Sequence, residues 1–175
     1  MITKRLYVVD TGYLAELYRV DGHWEEASSG EVKRRVSEAA QRSDAFFVPV
    51  PVLFELGNHI AQMKTGGERR RRLAQKLKDD VVASCSNKEP WVITAFGSES
   101  VAIDFSEALV AYCAGFADEF AAAEVGLTDV AVIREALHLK ARHNAEGSRV
   151  YKVHIWTRDH QVKAREPDAE EDAFI

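Results

Sequence analysis

The sequence predicts an α/β fold, a three-layer α/β/α sandwich with a mostly parallel central sheet. Three observations carry that expectation. Short β-rich runs at residues 6–9, 45–50 and 150–157 alternate with helical stretches along the chain, the pattern of strands joined by crossover helices. Between them apolar residues recur at spacings of three and four, as in Leu53, Leu56, Ile60 and Met63. A length of 175 residues, 46% apolar and 29% charged, suits one domain with a substantial core.

Leu6-Tyr7-Val8-Val9 is short, apolar and ended by Asp10-Thr11-Gly12, and so reads as a buried strand. A short helix follows through Leu14, Leu17 and Tyr18, then a loop at Asp21-Gly22 and a polar helix over residues 30–41. Residues 45–50 form the second buried strand, punctuated by Pro49 and Pro51. Pro51 suits the first turn of the next helix, where its missing N–H has no partner to lose. On that helix Glu55 projects away from the Leu53/Leu56/Ile60 stripe. Gly66-Gly67 break the chain before a basic helix, ERRRRLAQKLKDD, with Leu73, Leu77 and Val81 as its inward stripe. Residues 91–94 are extended and residues 101–104 are a further strand candidate. Ser106 is a suitable N-cap for a helix whose stripe is Leu109, Cys113, Phe116 and Phe120, with Cys113 in the core. Gly126 and Thr128 open another helix with Val130, Ile133, Ala136 and Leu137 inward, and residues 150–157 alternate as a strand ending at Arg158-Asp159.

No run reaches the roughly 18 apolar residues of a membrane span. The start, MITKRLYVVD, has an apolar run too short for a signal-peptide core. Cys85 and Cys113 form no CxxC, which fits a reducing, cytoplasmic setting better than a disulfide framework. The net charge of −5 argues at face value against nucleic acid. Yet Glu166, Asp168, Glu170, Glu171 and Asp172 all lie in the last ten residues, so residues 1–165 are neutral as a body and residues 166–175 read as an acidic tail.

In a parallel α/β sheet, ligands sit beyond the carboxyl ends of the strands. Asp10 and Asp159 follow two strand ends and belong on that rim, and Glu55 and Asp129 sit near the starts of helices that lead back to it. Taken singly, each acid is explained by turn capping or by the helix macrodipole. Together, converging carboxylates repel unless a cation joins them, and a hard divalent ion prefers such oxygen ligands. Such an ion activates water and neutralises phosphate charge, as phosphodiester hydrolysis requires.

The segments LYVVDTGYL, FFVPVPVLFELGNHI, VGLTDVAVIREA and VHIWTRDHQ together resemble the PIN-domain nucleases over residues 1 to about 165. The resemblance implies that Asp10, Glu55, Asp129 and Asp159 bind Mg²⁺ or Mn²⁺ and carry catalysis, with Thr11, Thr157 and Asn58 orienting them. It implies an endoribonuclease in which water attacks phosphorus in line, the 3′-oxygen leaves and a 5′-phosphate results. It also implies a homodimer, and a toxin restrained by a small antitoxin protein. The intervals from Glu55 to Asp129 and from Asp129 to Asp159 are longer than in the compact VapC-type toxins, with residues 91–98 as extra material.

Other signals rank lower. Asp10-Thr11-Gly12 matches an aspartic-protease loop, but that fold is all-β; Gly12 occupies the place of the second aspartate of a haloacid-dehalogenase phosphatase. Asp104 suits a cap, and the six histidines show no HxxxH or HExxH spacing. The basic cluster Arg69, Arg70, Arg71, Arg72, Lys76 and Lys78 is an RNA-contact candidate or a solvated helix face. The alternative from another class is a non-catalytic PIN-like RNA-binding or assembly module, and a small-substrate phosphatase is a third.

Overall fold

The computed structural model describes residues 3–95, 105–144 and 150–174. In chain order the elements are β1 (Thr3–Val9), α1 (Thr11–Tyr18), α2 (Glu26–Gln41), β2 (Ala45–Pro49), α3 (Val50–Gln62), α4 (Gly67–Asn87), β3 (Val92–Thr94), α5 (Phe105–Gly115), α6 (Leu127–Asn144), β4 (Val150–Trp156) and α7 (His160–Lys163). The strands form one all-parallel sheet in the order β3-β2-β1-β4, a mixed α/β architecture as expected. The strand candidate at residues 101–104, with Asp104, lies outside the described residues, as do residues 96–98 of the expected extra segment. The front of that segment is not an addition to the fold but its edge strand: Val92 pairs with Phe47, and Trp91 is buried.

The sheet centres on β1, whose Leu6, Tyr7, Val8 and Val9 are all buried, as a strand covered on both faces requires. Tyr7, Phe46 and Trp156 pack ring against ring on one face of the sheet, and Tyr13 of α1 stacks on Trp156 at 5.5 Å. On α3 the buried stripe is Val52, Leu56, Ile60 and Met63, with Leu53 only partly covered. Pro51 sits in its first turn. The long α4 is peripheral, with Leu73 and Leu77 merely half-buried and Ser84 its one buried residue.

Three inward assignments are corrected. Cys113 is exposed, as are Leu109 and Val110, while Tyr112 and Phe120 are buried. The cause is a wide π-helical turn at Phe116–Phe120 after α5, which adds a residue and moves the upstream stripe back by one position. That helix also begins at Phe105, placing Ser106 inside its first turn and not at the cap. On α6, Leu137 is 51% exposed and Leu139 is buried instead. The helix is enclosed on all sides from Val130 to Ile133, and beyond that the face shared by Val130 and Leu137 emerges from the core.

The expected acidic tail is a strap bound to the sheet. β4 is an edge strand, and its Val153 and Ile155 turn their N–H and C=O groups outward. Val153 N–H donates to the Asp168 carboxylate at 2.8 Å and Ile155 N–H to Glu166 at 3.0 Å. The Val153 carbonyl accepts from the Asp168 N–H and the Ile155 carbonyl from Lys163 Nζ, which also pairs with Glu166 and Glu170. Further along, Phe174 packs on Tyr13 and its carbonyl accepts the Tyr13 hydroxyl at 2.8 Å. The strap covers an edge that would otherwise expose a row of unpaired backbone groups.

Candidate functional site

The chain order places β2 and β3 successively on one side of β1, and β4 on the other. The direction of winding therefore reverses between β1 and β4, and the crevice at their carboxyl ends is where such a sheet binds ligands. Asp10 follows β1 directly, its N–H donating to the Trp156 carbonyl at 2.9 Å. Its extended backbone makes it the N-cap of α1. One carboxylate oxygen accepts the Thr11 N–H at 2.6 Å and the other accepts the Thr157 hydroxyl at 2.8 Å. Burial pushes the Asp10 carboxyl up to about 7; the Thr157 and Thr11 hydrogen bonds oppose this, and the charges of Asp129 and Glu55 add to it.

The other three expected acids surround it. Glu55, on the second turn of α3, accepts the Thr11 hydroxyl at 2.8 Å, so Thr11 touches two of the four carboxylates. Asp129, in the first turn of α6, accepts the Gly126 N–H at 3.0 Å. Burial raises its carboxyl too, with Asp159 and Glu55 adding repulsion. Asp159 caps α7 by accepting the N–H groups of Gln161 and Val162, and its own N–H donates to Thr157 Oγ1 at 3.0 Å. Thr157 thus donates to Asp10 and accepts from Asp159, a buried hydroxyl linking two acids. Asn58 is exposed and makes no hydrogen bond to Glu55 among the described residues; the neighbour of Glu55 on its helix is His59, at 3.9 Å.

The capping roles and the clustering hold at once, because a cap consumes only part of a carboxylate's accepting capacity. Asp10, Asp129 and Asp159 have no Lys or Arg ion-pair partner among the described residues. An all-oxygen donor set with unbalanced negative charge fits a hard divalent ion. The side chains stand in electrostatic contact without closing on one point: among the described residues no three His, Cys, Asp or Glu groups are gathered tightly enough to hold a metal.

A second feature of this rim, Glu16, lies outside the residues expected from the sequence. Glu16 is fully buried, pairing with Arg158 at 2.5 Å and accepting the Glu25 N–H at 3.0 Å. An acid inside the apolar octapeptide TGYLAELY was the available signal. A cleft of about 290 Å³ lies beside Thr11, lined by Thr11, Gly12, Ala15, His23, His59 and Arg158. Of the basic cluster, Arg69 holds Asp21 and the Arg19 carbonyl, Arg70 binds the Met63 and Thr65 carbonyls, and Lys76 pairs with Asp80. Arg70 thus closes the α3–α4 connection, Arg69 ties α4 to the segment after α1, and Lys76 pairs within α4.

Fold and rim define a parallel α/β protein with a carboxylate cluster at its switch point. No protein-family model matches the chain, and its sequence matches no curated protein. No helix among the described residues is long and apolar enough to cross a membrane.

Proposed function

We propose that this chain is a PIN-like endoribonuclease that hydrolyses phosphodiester bonds with Mg²⁺ or Mn²⁺. One observation carries the reading: Asp10, Glu55, Asp129 and Asp159, far apart in sequence, meet within electrostatic range at the switch point of a parallel sheet. Right-handed crossovers, the rule for parallel strands, would send the helices to opposite faces on the two sides of β1, which gives the three-layer arrangement. A divalent ion, when bound, supplies charge neutralisation on the phosphate and a water of lowered pKa. Asp10, Glu55, Asp129 and Asp159 are the residues that would hold it. Thr11 and Thr157 fix the orientation of Asp10 and Glu55 through the hydrogen bonds described above. Water attacks phosphorus in line, the bond to the 3′-oxygen breaks, and the product carries a 5′-phosphate.

The test is cleavage of single-stranded RNA by the purified protein with Mg²⁺. Wild type cuts, and Asp10→Asn stays folded and does not; equal cleavage by both would sink the proposed site. The alternative from another class is a non-catalytic RNA-binding module. Mn²⁺ separates the two. At a hundred times its Kd a single bound ion stabilises the folded state by about 2.7 kcal/mol, whereas a binding module gains little. A homodimer and a small antitoxin partner belong to the same proposal and are read by solution mass and by co-purification with the product of a neighbouring small gene.

A further inference from the structure

Apart from Thr11, the cleft beside it is built from parts that the carboxylate chemistry does not use. His23 and His59 come from the α1–α2 loop and from α3, and their rings stack with centroids 3.9 Å apart and planes at 28°. His23 is exposed and His59 half-buried, so the pair forms a flat wall open to solvent. Arg158 lines the same cleft, tethered by Nη1 to Glu16, and its side chain remains 38% exposed. The other oxygen of Glu16 holds the Glu25 N–H, while His23 N–H donates to the Val20 carbonyl at 2.9 Å. One buried carboxylate therefore sets both the guanidinium and the loop that carries His23. Thr11, which lines the same cleft, donates its hydroxyl to Glu55. Thr11 therefore joins the cleft to Glu55.

A stacked aromatic wall facing a guanidinium fork, in a volume of about 290 Å³, has the chemistry of a site for one nucleotide. We propose that this cleft is a nucleotide subsite, in which a nucleobase stacks on the His23–His59 pair while its phosphate meets Arg158. The assignment rests on the nuclease reading for its role, placing beside the carboxylates the nucleotide next to the bond to be cut. Its physical content can be measured without any cleavage.

The measurement is titration of the full chain, in EDTA, with uridine 5′-monophosphate and with ribose 5-phosphate, followed by NMR of the histidine rings. The mononucleotide is expected to shift the His23 and His59 signals and to bind about tenfold more tightly than the sugar phosphate, which lacks the base. His23→Ala should weaken the mononucleotide about tenfold and leave ribose 5-phosphate unchanged, and His23→Phe, which keeps a flat ring, should retain binding. Equal affinity for the two probes, or ring signals that do not move at saturation, would overturn the subsite. Cleavage assays separate the two levels. RNA cutting with KM unchanged in His23→Ala overturns the subsite and leaves the nuclease standing. Nucleotide binding on the imidazoles by a chain that cuts no RNA supports the subsite and overturns the nuclease.

Discussion

Glu135 offers a direct measure of how much an unpaired buried carboxyl weakens this fold. It lies on α6 with 0% exposure, and among the described residues neither of its oxygens, nor the Thr94 hydroxyl of β3 beside it, has a well-formed hydrogen-bond partner. Burial lifts its carboxyl from an ordinary 4.5 to about 7, with the Thr94 hydroxyl opposing the rise. The folded protein thus keeps this proton to a higher pH than the unfolded chain does. Below the unfolded value both states are protonated and nothing is lost. Between the two values stability falls as pH rises, by up to roughly 1.4 kcal/mol per pH unit, and above the folded value the loss is complete at about 3 kcal/mol. Glu135→Gln removes the ionisation while keeping the shape and a donor for Thr94. Urea unfolding of both proteins at pH 5, 6, 7 and 8 isolates this group, because the other titrations are common to both. The variant should lie within about 1 kcal/mol of wild type at pH 5 and exceed it by about 3 kcal/mol at pH 8. A gap that stays constant with pH, or a variant less stable at pH 8, would refute the reasoning.

The remaining expectations concern the hydroxyl between the acids and the strap. Thr157→Val, close in shape, takes a donor from Asp10 and an acceptor from the Asp159 N–H; it should lower Mn²⁺ affinity or RNA cleavage about 10- to 100-fold, seen in metal titration and in rate. Lys163→Met strands Glu166 and Glu170 without their shared cation and should destabilise by about 3–5 kcal/mol in urea unfolding. A loss below about 1 kcal/mol would mean that solvent already screens that pair.

How much was legible follows from where the signal resides. β1, β2 and β4 are runs of apolar, β-prone residues, and a strand covered on both faces needs nothing else. The four acids were readable because each adjoins a strand end or lies near a helix start, so the topology that forms the elements also gathers the acids. The π turn at Phe116–Phe120 is invisible to a search at 3.6-residue period, and it alone moved Cys113 outward. Glu166, Asp168 and Glu170 have the composition of a solvated tail; the fold supplies their partners, the outward N–H groups of β4, the Trp156 indole, Lys163 and Lys140. His23 and His59 stand too far apart in sequence for any spacing rule, and their stacking is a product of the fold.

The strap on β4 also limits how this chain can meet others. Recognition by strand addition needs a free row of backbone donors and acceptors, and on β4 that row is filled by Glu166, Asp168 and Lys163. An incoming strand would have to dislodge all three side chains before making its first hydrogen bond. At the other end of the sheet β3 offers three residues, Val92–Thr94. Among the described residues, the apolar side chains that α3 and α6 hold in solvent, Phe54, Leu127 and Leu137, are the ground on which an approach through helix surfaces is to be mapped.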